Sequence, residues 1–382
     1  MEELVLLRII VTTKRDIFKN VDYYIYQAVD DAAGGGPSLK RLPRPPSPYG
    51  FHSDVGILRY GISDQRDHVL RPHRNAADDY YIVAGLCKAL NSLDPGEFVL
   101  CLHNSNSPTS WSTHNISLDE QHRRQYGCGF LHVNSKVIAI GGDAGTMGFV
   151  DLWRGILFCD VLKVEQGKPT PSLRYVMLPP PLLPNVEDSC DAGLARDIAV
   201  VQQGRTLKYV ELQVHWKACP TFRGCYVNDG WMSRTWSRPV AADCSGDGWD
   251  LGCKQESSDI TVCSKPHFEL SPKMLDDGGM PLESLEGLAI CQPTLSLHDD
   301  DDTVYFKTKK NRMDDKAWVI AVDMKNNTLQ GVAEFASGRA VGIAYMHSRI
   351  SKYLTATPGN YVLGVHPFSH DCIYKSFGCP TL

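Results

Sequence analysis

The chain has 382 residues, of which 43% are apolar and 22% are charged, and its 39 basic and 44 acidic residues leave a net charge of −5. This composition excludes disorder of the whole chain, because it contains enough apolar side chains to form a core. It also excludes a strongly basic surface of the kind that attracts nucleic acid or anionic lipid. We therefore expect neither a nucleic-acid partner nor a membrane partner.

The first predicted element is a short apolar run at 4–11, which follows two acidic residues and is interrupted by Arg8. A secretory signal has a basic start and a longer apolar core, and a membrane helix needs about 20 apolar residues. We interpret 4–11 as a buried strand. The 13 cysteines are an odd number without paired spacing, and this favours reduced thiols. A cytoplasmic or nuclear location is the expectation.

Further short segments rich in Val, Ile, Tyr and Phe recur between turn residues, as is typical of an all-β chain. The predicted strands are 23–28, 55–60, 80–86, 98–102, 136–140, 149–153, 154–161, 173–178, 196–201, 207–214, 259–263, 303–307, 317–323, 329–335 and 341–346. One helix is predicted at 117–125, with Ser117 as its N-cap and Glu120 at the capping-box position. It is polar nearly all round, so a surface position is expected.

The strand candidates number about twenty, which predicts a β-propeller of five or six blades, because a blade uses four strands. Ring closure would also protect sheet edges. Packed β-sandwiches are the alternative, since the chain shows no clear internal repeat. We predict a single all-β domain over 1–382, with loop insertions at 32–49, 179–190 and 241–258.

Two clusters of residues are candidate metal ligands. Residues 298–302 read His-Asp-Asp-Asp-Asp, but they lack the alternating ligands and central glycine of an EF-hand loop, so a solvated turn is favoured. Cys244, Cys253 and Cys263, with Cys219, Cys225 and His267 nearby, invite a zinc interpretation. No C-x-x-C pair occurs, so isolated thiols are favoured, and Cys244 and Cys253 are the two to test for metal.

Motifs of nucleotide binding and nucleophilic catalysis are not found in the sequence. The glycine-rich segment 141–148 has no P-loop lysine, so it predicts a hairpin turn. Neither G-x-S-x-G nor H-E-x-x-H occurs. The basic segment 307–312 is short and is interpreted as a solvated hairpin end. We predict no catalytic, cofactor-binding or metal-binding residue.

Tryptophans cluster in one stretch that contains Trp216, Trp231, Trp236 and Trp249, near Tyr226. Such side chains are more often core than surface, but they could also form an exposed binding surface. Trp231 and Trp236 are five residues apart, so a regular strand places them on opposite faces and leaves one of them accessible. The predicted interaction surface consists of Trp231, Trp236 and Trp249.

The segment 150–161, which includes Asp151, Leu152, Trp153, Arg154 and Gly155, resembles the hallmark of a plant family, domain of unknown function 1618, which is expanded in grasses. Other segments resemble the family in the same order: 173–181, 196–201, 208–212, 235–239, 258–260, 293–300, 317–324, 329–335 and 348–354. The resemblance implies a plant intracellular protein with a β-propeller-like module and no established activity. Family members often have a further stretch before the equivalent of 4–8, which implies an incomplete first blade here. The hallmark residues are interpreted as scaffold, with Trp153 anchoring a blade.

Two hypotheses about function remain open. The first is a non-catalytic interaction module that presents loops to an unknown protein partner. The alternative is a propeller-type enzyme or carbohydrate-binding protein, with a pocket lined by tryptophans and by carboxylates of raised pKa. A fold stabilised by metal is a third and weaker idea.

Overall fold

The structure is a computed structural model in which the described residues are 4–10, 21–27, 38–46, 55–60, 80–90, 92–166, 172–182, 191–219, 226–241, 248–260, 285–297, 302–310 and 317–335. These residues belong to two compact units, and the boundary between them lies after Leu178. Three sheets lie in the first unit and two in the second. The single domain over 1–382 stays a prediction.

The first unit contains sheets of three, four and four strands. Their strands are β1 (Leu4–Ile10), β2 (Val21–Gln27) and β3 (Ser38–Arg41); β4 (Val55–Tyr60), β5 (Tyr80–Lys88), β6 (Glu97–Asn104) and β7 (Ser112–Ser117); and β8 (Lys136–Gly141), β9 (Thr146–Asp151), β10 (Gly155–Asp160) and β11 (Arg174–Met177). Each strand pairs antiparallel with the next along the chain.

The second unit contains two sheets of four strands each, which are also antiparallel meanders. Their strands are β12 (Arg196–Val201), β13 (Thr206–Ala218), β14 (Tyr226–Pro239) and β15 (Asp250–Glu256), and then β16 (Ala289–Leu295), β17 (Thr303–Lys309), β18 (Ala317–Asp323) and β19 (Thr328–Phe335). The fold is therefore all-β, with five antiparallel sheets as the five blades of a β-propeller. This confirms the predicted all-β propeller class, with five blades among the described residues.

The helices are short. They are α1 (Glu120–Tyr126), α2 (Val161–Glu165) and single 3₁₀ turns at Gly127–Gly129, Ala192–Leu194 and Ser257–Asp259. In the described part of the chain, no helix has the length and apolar character that crossing a membrane requires.

The N-cap and the burial of helix α1 differ from the prediction. Its N-cap is Asp119 and not Ser117, because the Asp119 carboxylate accepts a hydrogen bond from the His122 N–H at 2.9 Å. Ser117 ends β7 instead. The helix is also not wholly at the surface, because His122 is buried and its ring packs edge-on against Tyr175.

The interior strands explain why the sequence reads as short apolar runs. On β5 and β6, alternate residues face different cores: Ile82 and Leu100 join one apolar cluster, whereas Val83 and Cys101 join another. Side chains alternate across a strand, so a strand that is covered on both faces needs apolar residues at every position. The second unit has its own core, in which Trp231 packs against Phe306 with ring centroids 5.1 Å apart.

Two of the predicted loop insertions contain strands. β3 lies within 32–49 and β15 lies within 241–258. Both are outermost in their sheets, where polar side chains face water, so their sequences lack the apolar pattern of interior strands. The predicted strand 259–263 also begins in the 3₁₀ turn Ser257–Asp259. Residues 341–346 and most of the insertion 179–190 lie outside the described residues.

Candidate functional site

The turn between β9 and β10 contains the hallmark residues. Asp151 ends β9, and its buried carboxylate accepts hydrogen bonds from the backbone N–H groups of Trp153 at 2.9 Å and Val133 at 2.8 Å. Arg154 Nη1 donates to the same carboxylate at 3.2 Å. A buried carboxylate is stable in a protein only when donors of this kind surround it. Asp151 therefore closes the turn and attaches the segment around Val133.

The segment 131–135 is attached at two further points, which directly follow Val133 in the chain. The Ser135 N–H donates to the Val150 carbonyl at 2.7 Å, and Asn134 Nδ2 donates to the Leu86 carbonyl at 2.8 Å. The segment thus connects the second and third sheets of the first unit. The hallmark turn organises this connection, which is the geometry expected of scaffold residues.

The other hallmark residues line the same turn. Leu152 is buried, whereas Trp153 and Arg154 are partly exposed, so Trp153 is not a fully buried anchor. Gly155 begins β10 where no side chain fits, because a Cβ atom there would lie 2.5 Å from the Tyr175 ring and from the Val176 carbonyl oxygen. The glycine is required by close approach of the neighbouring strand.

His132 lies in the same attached segment and is buried among aromatic rings. Its ring stacks with Phe130 and meets Phe98 and Tyr175 edge-on, at centroid distances of 6.3–6.4 Å. Its Nε2 atom lies 2.8 Å from Asn134 Oδ1. Burial lowers the pKa of His132 to about 4, although the nearby Asp151 charge acts in the opposite direction. The imidazole is therefore neutral in the folded protein at neutral pH.

We expect the free energy of unfolding to fall as the pH falls from 6.5 towards 4, because the unfolded chain then binds a proton at His132 that the folded chain does not. The contribution is at most about 1.4 kcal/mol per pH unit for one proton. Urea titrations at pH 7 and pH 5 measure it by comparing the native chain with His132→Gln. Equal pH dependence in the two proteins would contradict the prediction.

The structure corrects the predicted tryptophan surface. Trp231 and Trp236 lie on opposite faces of β14, as expected, but they are only 1% and 6% exposed. Both faces of this interior strand are covered: Trp231 packs on Phe306 and Trp236 on Tyr209. Trp249 is partly buried, with its ring 6.0 Å from that of Tyr209. None of the three forms an exposed aromatic surface.

The exposed aromatic side chains of this stretch lie elsewhere, on a two-stranded extension of β13 and β14. We call residues 214–218 and 226–230 the arm. β12 pairs with β13 only as far as Glu211, and β15 pairs with β14 only from Met232, so the arm extends past both neighbours. Trp216 is 53% exposed and Tyr226 is 55% exposed.

These two aromatic residues share one face of the arm. Trp216 is opposite Asn228 and Ala218 is opposite Tyr226, so Trp216 and Tyr226 are diagonal neighbours. Val214 is opposite Trp231 on the same face, which makes the exposed face continuous with the apolar face of the blade. The other face of the arm presents Lys217, whose Nζ atom forms an ion pair with Asp229.

A β-bulge sets the base of the arm. Between Val214 and Trp216 the register shifts, and Asp229 and Gly230 together stand opposite His215. Gly230 has a φ of +116°, and its N–H donates to Asn228 Oδ1 at 2.9 Å. A Cβ atom at Gly230 would lie 2.9 Å from Ser257 Oγ, so both the backbone angle and the space favour glycine.

The basic segment 307–312 is also corrected. Lys307 and Lys309 are buried side chains of β17 and are not part of a solvated hairpin end. Burial lowers the pKa of Lys307. By contrast, the glycine-rich segment forms the predicted hairpin turn between β8 and β9, where the Gly145 N–H donates to the Gly142 carbonyl at 2.9 Å.

The candidate metal ligands are only partly described. Asp302 is paired with Lys208 at 2.9 Å, and the rest of 298–302 lies outside the described residues, as do Cys244, Cys263, Cys225 and His267. Within the described ranges, no three His, Cys, Asp or Glu side chains are placed to hold a metal ion. Cys253 is not in a disulfide, and its backbone N–H donates to Thr235 Oγ1 at 3.0 Å.

Carboxyl groups of raised pKa would mark an acid–base site. Among the described residues, the carboxyl groups whose pKa departs from the ordinary value have a lowered pKa: Asp22, Asp160, Glu256 and Asp323. For Asp22 the main cause is a hydrogen bond from Arg41 at 2.8 Å, and for Glu256 it is a hydrogen bond from Lys254. Such pairs stabilise the ionised form, whereas a general acid at neutral pH needs the opposite.

Comparisons with known proteins give one family and one solved structure. A profile of the family described as "Protein of unknown function (DUF1618)" matches residues 149–305, which include the hallmark turn and the arm. This match supports the resemblance to that family. No curated protein matches the chain. A structure described as a Mycobacterium tuberculosis puromycin-hydrolyzing peptidase is similar at 10% identity and a TM-score of 0.29, over 86% of this chain and 38% of that chain.

The sequence analysis identified the stretch that contains exposed aromatic residues, but it selected Trp231, Trp236 and Trp249 instead of Trp216 and Tyr226. Trp216 and Tyr226 flank the segment Cys-Pro-Thr-Phe-Arg-Gly-Cys at 219–225, whose Pro and Gly are typical of a hairpin end. Residues near the end of a long hairpin can extend past the neighbouring strands. The closeness of Trp216 and Tyr226 to this hairpin end was therefore the sequence signal that their rings are exposed.

Proposed function

We propose that the protein is a non-catalytic interaction module that binds a protein partner through the aromatic face of the arm. The observation that supports this most directly is the exposure of Trp216 and Tyr226 side by side on a two-stranded extension. Aromatic residues are enriched at the centres of protein interfaces, where a few of them contribute most of the binding free energy.

The base of the arm supports this proposal because it is held at several points. Trp231 Nε1 donates to the Leu285 carbonyl at 3.2 Å, and the Trp231 N–H donates to Ser257 Oγ at 3.1 Å. Asn228 Nδ2 donates to the Leu288 carbonyl. A surface that is ordered before binding loses less conformational entropy when the partner binds.

A reducing, intracellular location is part of the proposal. It is supported by buried thiols such as Cys101 and Cys159, which are not in disulfides. Burial raises the pKa of Cys101 to about 11 and that of Cys159 to about 12, so both behave as small apolar core residues. The lowered carboxyl pKa values described above give no support to the alternative of an enzyme or carbohydrate-binding pocket.

We expect the tagged chain to recover partner proteins from an extract of its source organism. The double variant Trp216→Ser/Tyr226→Ser should recover at least about tenfold less of them, because each aromatic residue at the centre of an interface contributes about 2 kcal/mol or more to binding. Quantitative mass spectrometry of the bound fraction measures the ratio. Leu251→Ser is the matched control, since Leu251 is an exposed apolar residue of the same sheet. Equal recovery by the double variant would refute a role for the arm.

A further inference from the structure

We propose that the partner contributes an extended polypeptide segment, which pairs with the outer edge of β13 along residues 213–218 and adds a strand to the arm. This inference rests on the proposed function of the arm. It goes further because it identifies backbone pairing, and not side-chain contact alone, as the mode of binding.

The first observation is that no strand of the described ranges covers this edge of β13. The pairing of β12 with β13 ends at Arg196 and Glu211, whereas β13 continues to Ala218. Along 213–218, no strand of the described chain pairs with β13 on this side. An uncovered strand edge presents backbone donors and acceptors that can pair with another chain.

The second observation fixes which backbone groups face outward. The Leu212 N–H donates to the Ala195 carbonyl at 2.7 Å, on the side of β13 away from β14. Backbone groups alternate along a strand, so the N–H and C=O groups of Val214, Trp216 and Ala218 point to the same open side. Alternate residues are about 6.6–6.8 Å apart, which is the repeat of an extended backbone. This array of donors and acceptors specifies an extended polypeptide as the occupant.

The third observation concerns β14 at the base of the arm. Its edge is occupied at Trp231, whose N–H donates to Ser257 Oγ, and the Leu288 carbonyl accepts from Asn228 Nδ2 on the face that bears Trp216. These contacts hold the base on the β14 side, whereas no described strand pairs with the outer side of β13 along 213–218, where a single strand can be added.

The faces of the arm define the chemistry of that strand. On one face, the added side chains would pack beside Trp216 and Tyr226, which favours aromatic or branched apolar residues. On the other face they would lie near Lys217, which already has an ion pair with Asp229, so polar residues fit there. The expected ligand is a segment of about six residues, in which apolar and polar residues alternate.

The test uses a phage-displayed library of random dodecapeptides, selected on the full-length chain. The selected sequences are expected to alternate apolar and polar residues. A synthetic peptide of such a sequence should bind at least about tenfold more weakly to the Ala218→Pro variant. The reason is that proline removes a backbone N–H on the outer edge of β13 and leaves the pairing with β14 intact. Ala218→Thr is the matched control, since it retains the N–H and should bind as the native chain does. Fluorescence anisotropy gives the dissociation constants.

The outcomes separate this inference from the proposed function. If Trp216→Ser weakens peptide binding but Ala218→Pro does not, strand addition is wrong and the aromatic face alone binds. If no peptide is selected, strand addition by a partner segment is overturned. A dimer in sedimentation equilibrium that Ala218→Pro abolishes would identify a second copy of this chain as the occupant. Failure of the proposed function itself would appear in the extract experiment, as equal recovery by Trp216→Ser/Tyr226→Ser.

Discussion

Replacing Trp231 with alanine is expected to lower the free energy of unfolding by about 3–5 kcal/mol, the usual cost of removing a large aromatic side chain from a core. Trp231 is 1% exposed, packs on Phe306 and donates a hydrogen bond to the Leu285 carbonyl. The substitution therefore leaves a cavity between the fourth and fifth sheets and a carbonyl without its donor. Urea unfolding, followed by tryptophan fluorescence and circular dichroism, measures the change.

Trp216→Ala is the control for this prediction. Trp216 is another tryptophan of the same hairpin, but it is 53% exposed, and its removal is expected to change the free energy of unfolding by less than about 0.5 kcal/mol. Comparable losses in the two variants would mean that Trp231 has no special role in the core. The pair also separates stability from binding, because only Trp216 belongs to the proposed partner surface.

Asp151→Ala is expected to lower the free energy of unfolding by about 3 kcal/mol, because two backbone N–H groups lose a charged acceptor and each such hydrogen bond contributes about 1.5–3 kcal/mol. The donors are Val133 and Trp153, at 2.8 and 2.9 Å. Thermal and urea unfolding measure the loss. Arg154 is partly exposed, so the loss of its ion pair with Asp151 adds little to the decrease in the free energy of unfolding.

Asp143→Ala is the matched control, since Asp143 is an exposed carboxylate in the turn that precedes β9. We expect its effect to be within about 0.5 kcal/mol. If both aspartate variants unfold alike, Asp151 does not organise the hallmark turn. If Asp151→Ala keeps full stability and loses partner recovery instead, the hallmark is a binding element and its interpretation as scaffold is wrong.

The two tryptophans of β14 show that the sequence predicted the face on which a residue lies but not whether that face is buried. The five-residue separation of Trp231 and Trp236 placed them on opposite faces of a strand, and they do lie on opposite faces. The inference that one of them is accessible failed because β14 is an interior strand, which is covered on both sides. Burial depends on which other elements pack against a face, and this information is not contained in the strand itself.

Two further predictions show that exposure cannot be read from a single segment: two lysines are buried, and an outermost strand has a polar sequence. Lys307 and Lys309 were interpreted as part of a solvated hairpin end because they belong to the short basic segment 307–312, yet both are buried on β17. The segment that contains β15 was interpreted as a loop because it is rich in Gly, Asp, Ser and Cys, and an outermost strand does not need an apolar pattern. In both cases the position of the strand within its sheet decides the exposure, and neighbours that are distant in sequence determine that position.

What the sequence by itself determined is local. Alternating and continuous apolar runs predicted an all-β chain of short strands, and the count of those strands predicted the blades, because side-chain periodicity acts over a few residues. What only the tertiary structure decided is the candidate site. Trp216 and Tyr226 are exposed, and no described strand pairs with the outer edge of β13 beyond Glu211, because β12 and β15 end before β13 and β14 do. The relative lengths of paired strands are set by contacts between distant segments, and no local pattern encodes them.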